Sequence, residues 1–276
     1  MMRAAAVQLT STADWEANLE AADRLVREAA AGGAELVVLP EKWSVLGTPD
    51  DLRAGAEPLD GPSITWARTA AAELGIDLVA GSIVERRAGQ ERLSNTSVHV
   101  GPDGDVRAVY RKVHLFDVEV GGRVYRESAL TEPGTEIVLS WARGVPLGLS
   151  VCYDLRFPEL FRVLTVRGAR VIALPAAFTR PTGAAHWEIL VRARAIENQV
   201  FVVAAGQVGH HPPDLESFGG STVVGPWGEV LGLAPAGEAV AFADLDLARQ
   251  DEIRERLPSL QHRVPDLYAE AEAAAV

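Results

Sequence analysis

Three side chains capable of covalent chemistry each follow an apolar segment of the sequence. Cys152 is the one cysteine of 276 residues, and it stands where an apolar run gives way to polar residues and a helical pattern. Glu41 directly follows another apolar run, and Lys112 follows the run 105–110. A nucleophilic cysteine needs a base to take its proton and a donor to hold an oxyanion. Glutamate, lysine and cysteine would supply the base, the donor and the nucleophile.

The position of Cys152 suggests how its thiol would be activated. We predict a strand, a sharp turn and a helix start around it, which would place backbone N–H groups beside the sulfur. Those groups and the helix dipole favour a thiolate and then an oxyanion. The alternative is a buried structural thiol, because free cysteine is among the most buried residues. Likewise, Glu41 could cap a helix and Lys112 could be a solvated charge.

The composition excludes several classes of protein. With 48% hydrophobic and 23% charged residues, the chain has an ordinary globular composition and can bury a sizeable core. Its net charge of -12 argues against binding to nucleic acid or to an anionic membrane surface. A single cysteine excludes an internal disulfide and a multi-cysteine metal site. Without a signal-peptide pattern or a membrane-length apolar run, we expect a cytoplasmic protein.

Strand and helix patterns alternate along the chain in two similar halves. The patterns predict strands at 4–9, 36–39, 77–84, 93–100, 105–110, 147–151, 170–174, 200–205, 221–224, 229–232 and 240–245, helices at 15–31, 63–74, 158–168, 184–199 and 246–257, and loops at 49–60, 116–135 and 206–220. The segment 33–40 matches 168–175, and each follows a helix ended by glycine. We therefore predict one domain, 1–276, with two mixed sheets face to face and helices outside. This is an α/β fold, a four-layer α-β-β-α sandwich.

The predicted architecture says where the reactive side chains would meet. Ligands of such folds bind beyond the carboxyl ends of strands. Glu41 and Cys152 both lie at such ends. Lys112 also terminates a strand, but the sequence does not say at which end of the sheet that strand finishes.

The residues around the three side chains resemble the signatures of the nitrilase superfamily of carbon–nitrogen hydrolases. The matching segments are Leu39-Pro40-Glu41, Tyr110 to Phe116 and Cys152 to Glu159, and the resemblance extends from Ala4 to about Tyr268. It implies the same sandwich fold, no cofactor or metal, and a homodimer or larger homo-oligomer. It also implies that Cys152 is the nucleophile, Glu41 the general base and Lys112 the oxyanion donor. Glu127 matches a second family glutamate that supports the lysine.

Within the superfamily, the sequence is most similar to the omega-amidase and deaminated-glutathione-amidase branch. The matching segments are His114 to Asp117, Thr182-Gly183, His186 to Glu188, Arg194-Ala195, Glu197 to Gln199, Pro226 to Glu229 and Pro265 to Tyr268. The branch implies hydrolysis of a small linear amide to an acid and ammonia through a thioester. The alternatives on this fold are an acyltransferase, an N-carbamoyl or nitrile hydrolase, and a non-catalytic assembly subunit. The intact catalytic positions disfavour the last.

The branch also suggests an amide whose far end bears a carboxylate. Long-range attraction cannot draw an anion to an acidic protein, so a cation in the pocket must bind it. Arg156 is the first candidate and Arg180 the second, because arginine suits bidentate anion recognition, although structural salt bridges are an alternative for both. Tyr153, through its N–H, Phe178 and His186 are the other candidate substrate contacts. The adjacent pair 210–211 lacks further ligands at suitable spacing, so we expect no metal site there.

Overall fold

The side chains of the central strands point alternately into two separate cores. In the computed structural model, which describes residues 1–268, Ala4 and Ala6 belong to the core between two sheets. Ala5 and Val7 pack instead in a second core beneath helices on the outer face. Successive side chains of a strand point to opposite faces, so a strand covered on both faces reads as a continuous apolar run.

Seventeen strands and six α-helices lie wholly within this range. The strands are β1 (Met2–Gln8), β2 (Leu36–Val38), β3 (Asp77–Val79), β4 (Ile83–Glu85), β5 (Ser94–Val100), β6 (Val106–Arg111), β7 (Asp117–Val120), β8 (Arg123–Arg126), β9 (Leu139–Ala142), β10 (Val145–Leu149), β11 (Val171–Ala176), β12 (Phe201–Gly206), β13 (Val208–His211), β14 (Leu215–Phe218), β15 (Thr222–Val224), β16 (Val230–Leu233) and β17 (Ala239–Leu245). The helices are α1 (Trp15–Ala31), α2 (Pro49–Ala54), α3 (Pro62–Leu74), α4 (Pro158–Val166), α5 (Arg180–Asn198) and α6 (Leu247–Arg256).

Two large sheets and the helices outside them form the predicted four layers. The first sheet has the strand order β17-β1-β2-β3-β5-β4, with β6 beside β5, and the second has the order β16-β15-β12-β11-β10-β9. Helices α1 and α3 cover the outer face of the first sheet, and α4 and α5 cover that of the second. The α-β-β-α sandwich is thereby confirmed. No helix within residues 1–268 has both the length and the apolar character that crossing a membrane requires.

The two matching segments of the sequence occupy equivalent places in the two sheets. Segment 33–40 contains β2, which has a parallel neighbour on each side, and segment 168–175 contains most of β11, which has the same arrangement. The carboxyl end of each of these strands therefore lies beside the carboxyl ends of its two parallel neighbours. The part of the predicted domain beyond residue 268 lies outside the described residues.

Several boundaries differ from the predictions for local reasons. The predicted loop 49–60 contains α2, whose start is a capping box between Thr48 and Asp51. The predicted strand 77–84 is broken into β3 and β4 at Gly81, which has a positive φ of 47°. Helix α5 begins at Arg180 instead of residue 184, because proline is well tolerated in the first turn of a helix.

Two segments predicted as loops contain β-hairpins. Strands β7 and β8 pair within 116–135, and β13 and β14 pair within 206–220. Each strand has only four residues, and several of their side chains are exposed, so little apolar periodicity marks them. The turn between β7 and β8 is Gly121-Gly122, with both glycines at positive φ, and this pair was the available hairpin signal.

Candidate active site

The four side chains that the sequence singled out for catalysis line one cavity, which lies at the carboxyl ends of strands from both sheets. Glu41 follows β2, Lys112 follows β6 and Cys152 follows β10, while Glu127 begins a short 3₁₀ helix after β8. All four line a cavity of about 270 Å³. The carboxyl end of β6 therefore lies on the same side of the molecule as those of β2 and β10. The sequence did not say at which end of the sheet this strand finishes.

Two carboxylates and two ammonium groups alternate in the floor of this cavity. Lys112 Nζ lies 3.0 Å from Glu41 Oε1 and 2.8 Å from Glu127 Oε2. Lys42 Nζ lies 3.4 Å from Glu127 Oε1. The side chains of Glu41, Lys112 and Glu127 are buried, so each charge depends on its neighbours. With both glutamates ionised, the four charges sum to zero.

The electrostatics keep Lys112 and Glu127 charged. Burial by itself lowers the pKa of Lys112, but the carboxylates of Glu127 and Glu41 outweigh burial and raise that pKa well above its ordinary value. Burial raises the pKa of Glu127, but Lys112 and Lys42 outweigh it and hold that pKa well below the usual range. Both groups are therefore ionised at neutral pH.

The nucleophile candidate sits on a strained turn and is a neutral thiol at rest. Cys152 has a φ of 48°, which is unusual for a residue other than glycine, and it begins the 3₁₀ helix Cys152–Arg156. Burial raises the pKa of the thiol well above its ordinary value, and the carboxylate of Glu41 raises it further, while Lys112 opposes them. Burial and the Glu41 carboxylate therefore favour the neutral thiol at rest, which is opposite in direction to the effect expected of N–H groups at a helix start.

Asp154 ties the nucleophile turn to the segment that carries Lys112. Its Oδ2 accepts hydrogen bonds from the Tyr110 hydroxyl at 2.7 Å and from the Val151 N–H at 2.8 Å. Its Oδ1 lies 2.8 Å from His114 Nδ1. Because the carboxylate is fully buried, these contacts hold the turn in one position relative to the lysine.

The structure separates the candidate substrate contacts into two groups. Tyr153, Arg156 and Phe178 line the cavity, whereas Arg180 and His186 do not. The guanidinium carbon of Arg156 lies 5.2 Å from the centroid of the Phe178 ring and 5.9 Å from that of Tyr153. No carboxylate within residues 1–268 pairs with Arg156, which contacts His186 Nδ1 at 3.3 Å. Arg180, in contrast, lies 3.4 Å from Glu216 Oε1.

Sequence reasoning missed several residues that shape the site. Lys42 directly follows Glu41 in the sequence, and this position beside the candidate base is the signal that could have found it. Asn95 contacts both glutamates from the start of β5, and no local pattern distinguishes it from other strand residues. The β7–β8 hairpin contributes 123–126 to the cavity wall.

This chain is similar in sequence to known proteins. Residues 3–255 match the family model described as carbon–nitrogen hydrolase. The chain is 43% identical over 271 residues to deaminated glutathione amidase of Bos taurus, which covers 96% of this chain and 82% of that protein. It is 39% identical over 268 residues to omega-amidase NIT2 of Homo sapiens, which covers 97% of this chain and 96% of that protein.

A solved structure is similar in fold as well as in sequence. An amidase variant from Nesterenkonia sp. AN1 is 30% identical with a TM-score of 0.79, and the match covers 98% of this chain and 96% of that one. That structure shows covalent addition of the acetamide moiety of fluoroacetamide at the active-site cysteine. The resemblance inferred from three sequence motifs is confirmed by the family match and by both relatives. The chain belongs to the carbon–nitrogen hydrolase family.

Proposed function

We propose that this protein is a cysteine amidohydrolase that converts a small linear amide to an acid and ammonia. The observation that carries the proposal is the buried cluster of Glu41, Lys112 and Glu127 in one cavity with the sole cysteine. The relatives described above are named as amidases, which supports the same reaction class. A panel of small amides with ammonia detection tests it, and no ammonia release from any of them would refute it. Added hydroxylamine would reveal acyl transfer as hydroxamate.

The first half-reaction moves one proton and keeps the site neutral. A thiolate beside ionised Glu41 would leave an uncompensated buried charge, which is costly. Transfer of the thiol proton to Glu41 as Sγ attacks the carbonyl carbon avoids that cost. The Glu41 proton then goes to the leaving nitrogen, the C–N bond breaks, and ammonia departs from a Cys152 thioester. In the second half-reaction Glu41 takes a proton from water and the water oxygen attacks the thioester carbon. The C–S bond then breaks, the acid leaves, and the Glu41 proton goes to Sγ to restore the thiol.

Two donors are available for the oxyanion of each half-reaction. An ammonium has three hydrogens, and Lys112 directs two of them at Glu41 and Glu127, which leaves the third for the substrate oxygen. Tyr153 is the second residue of its 3₁₀ helix, so its N–H has no carbonyl partner within that helix. Such preorganised donors commonly supply the largest part of the stabilisation of a tetrahedral intermediate.

We further propose that Arg156 binds a carboxylate at the far end of the substrate. Its guanidinium lines the cavity, has no carboxylate partner within residues 1–268, and lies beside two aromatic rings. A bound carboxylate would therefore supply the ion pair that Arg156 lacks in the free protein. Phe178 and Tyr153 would contact the chain of the substrate between its amide and its carboxylate.

Replacing Arg156 with methionine should erase a preference for carboxylate-bearing amides. Losing the charged partner of a bound carboxylate costs about 2 kcal/mol, or roughly 30-fold in kcat/KM, while neutral amides of equal length should change little. The measurement is kcat/KM for matched charged and neutral amides. Arg27→Met is the control, because Arg27 and its partners Asp23 and Glu73 all lie outside the cavity wall. Equal kcat/KM for the two amides in the parent protein would contradict an anionic substrate.

We also propose that the chain forms a homodimer or larger homo-oligomer through the outer face of α5. Ile189 and Ile196 lie two turns apart on this helix and are both exposed. Trp227, in the neighbouring turn, is also exposed, and that turn is held to the helix by a bond from Arg192 Nε to the Gly228 carbonyl at 2.9 Å. Contiguous exposed apolar side chains of this kind mark interaction sites.

Light scattering after size exclusion should give at least twice the mass of one chain. Trp227→Glu should shift this mass towards that of one chain, because a charge would be desolvated at the contact. Trp141→Glu is the matched control: Trp141 is 58% exposed against 59% for Trp227, but it lies on β9 at the other edge of the second sheet. A parent protein with the mass of a single chain would contradict this proposal.

We place the protein in the cytoplasm as part of the same proposal. A reducing compartment protects a free nucleophilic thiol from oxidation, and Cys152 is the only cysteine of the chain. Recovery of the native protein mainly in a secreted or membrane fraction would contradict this location.

A further inference from the structure

A neutral amide bridges the two catalytic carboxylates. Asn95 is the second residue of β5 and is 2% exposed. Its Nδ2 lies 2.8 Å from Glu41 Oε1 and 3.0 Å from Glu127 Oε1, and it donates to both. The two glutamates follow different strands, so this amide joins groups that the local chain does not hold together.

The backbone of Asn95 also holds the catalytic lysine. The Lys112 N–H donates to the Asn95 carbonyl at 2.9 Å, and this bond lies next to the pair of Thr96 and Arg111 in the β5–β6 ladder. The base, the second glutamate and the lysine are therefore all anchored to one residue. An amide does this without adding a charge, so it leaves the balance among the two carboxylates and two ammonium groups unchanged.

The hydrogen bonds to Glu41 distinguish its two oxygens. Oε1 accepts from Asn95 Nδ2 and from Lys112 Nζ, whereas Oε2 accepts from the Ala177 N–H at 2.9 Å. A carboxylate oxygen has two acceptor positions, so Oε1 is filled and Oε2 keeps one free. The side chains of Cys152 and Glu41 interact, and Oε2 is the oxygen of Glu41 that has an unfilled acceptor position.

We propose that Asn95 is a positioning residue that fixes Glu41 so that Oε2 receives the thiol proton. This inference rests on the proposed function only for the identity of the base and the nucleophile. Without the amide, Oε1 loses one of its two donors and the carboxylate can rotate. The ionised form of Glu41 also loses a hydrogen bond that stabilises it.

Alkylation of Cys152 by iodoacetamide tests the inference without requiring amide turnover. The S–C bond forms as the C–I bond breaks, iodide leaves, and the thiol proton goes to Glu41. Because the chain has one cysteine, intact-protein mass spectrometry follows this single reaction. The rate constant is measured against pH for the parent, Asn95→Ala, Asn95→Asp and a control variant.

Asn198→Ala is the matched control. Asn198 is also fully buried, donates from Nδ2 to the Arg194 carbonyl at 3.0 Å, and has no hydrogen bond to a catalytic group. Its removal should lower thermal stability and leave the alkylation profile of the folded protein unchanged. The control therefore separates a general loss of packing from a loss of positioning.

Asn95→Ala should lower the plateau rate on the order of 10²-fold, as expected when a reacting group is misplaced. The acidic limb of the profile should move to higher pH, because the ionised base has lost a donor. Asn95→Asp is isosteric and should move that limb further, since a third carboxyl group then faces two carboxylates. This variant also provides a test if the alanine variant does not fold.

Two outcomes separate this inference from the proposed function. A parent-like limb and plateau in folded Asn95→Ala or Asn95→Asp would overturn the positioning role, even with normal amide turnover. If the parent releases no ammonia from any amide but the profile shifts as described, the amidase proposal fails and the positioning role stands.

Discussion

Replacing Cys152 with alanine will abolish ammonia release from every amide substrate while the protein stays folded. No other cysteine exists to take over the attack on the carbonyl carbon. The side chain is buried against the main core, and removing one sulfur atom from such a site leaves only a small cavity. Thermal unfolding and circular dichroism should therefore resemble those of the parent, and kcat should fall to background.

A covalent adduct gives the positive control for this variant. With a slowly hydrolysed amide, intact-protein mass spectrometry of the parent should show one acyl group, located at Cys152 by proteolysis. The alanine variant should show none. Turnover that persists in the purified alanine variant would end the cysteine mechanism, whatever the state of the other residues.

Replacing Glu41 with glutamine should slow both half-reactions, by roughly the 10²–10⁴-fold that general bases contribute. The amide of glutamine cannot accept the thiol proton, and it cannot activate the water that hydrolyses the thioester. The resting thiol of Cys152 is neutral, because burial and the nearby carboxylate raise its pKa, so attack depends on this transfer. Rapid-quench mass spectrometry should show slower formation and slower decay of the acyl adduct.

Two further variants, at Lys112 and Glu127, distinguish the general base from the residues that bind the oxyanion or pair with the lysines. Lys112→Ala should reduce kcat by roughly the 10²–10³-fold typical of a lost oxyanion donor, since its third hydrogen is the one left for the substrate. Glu127→Gln retains the base and should impair turnover less than Glu41→Gln, because it removes only a partner of Lys112 and Lys42. A Glu41→Gln variant with near-parental adduct formation would show that another group takes the thiol proton.

By itself, the sequence determined the architecture and singled out four side chains, Glu41, Lys112, Glu127 and Cys152, that line one cavity. The apolar runs of β2 and β11 can be recognised as buried strands from the sequence, because strands covered on both faces are apolar at nearly every position. Glu41, Lys112 and Cys152 each lie in a continuous segment of sequence. The resemblance of each segment to a family motif can therefore be recognised without tertiary information. The hairpin β7–β8 escaped prediction because its four-residue strands gain little from burial and therefore carry little apolar pattern.

Only the tertiary structure decided how these residues interact. The sequence ranked Arg156 before Arg180 but did not show what surrounds either of them. In the structure Arg180 pairs with Glu216 of the β13–β14 hairpin, whereas Arg156 lies beside two aromatic rings in the cavity. The two largest influences on the pKa of Cys152 are burial and the Glu41 carboxylate, both of which raise it, and neither of them is local to the turn. Asn95 had no signal for the same reason: its importance comes from the distances between its amide and two carboxylates that only folding brings together.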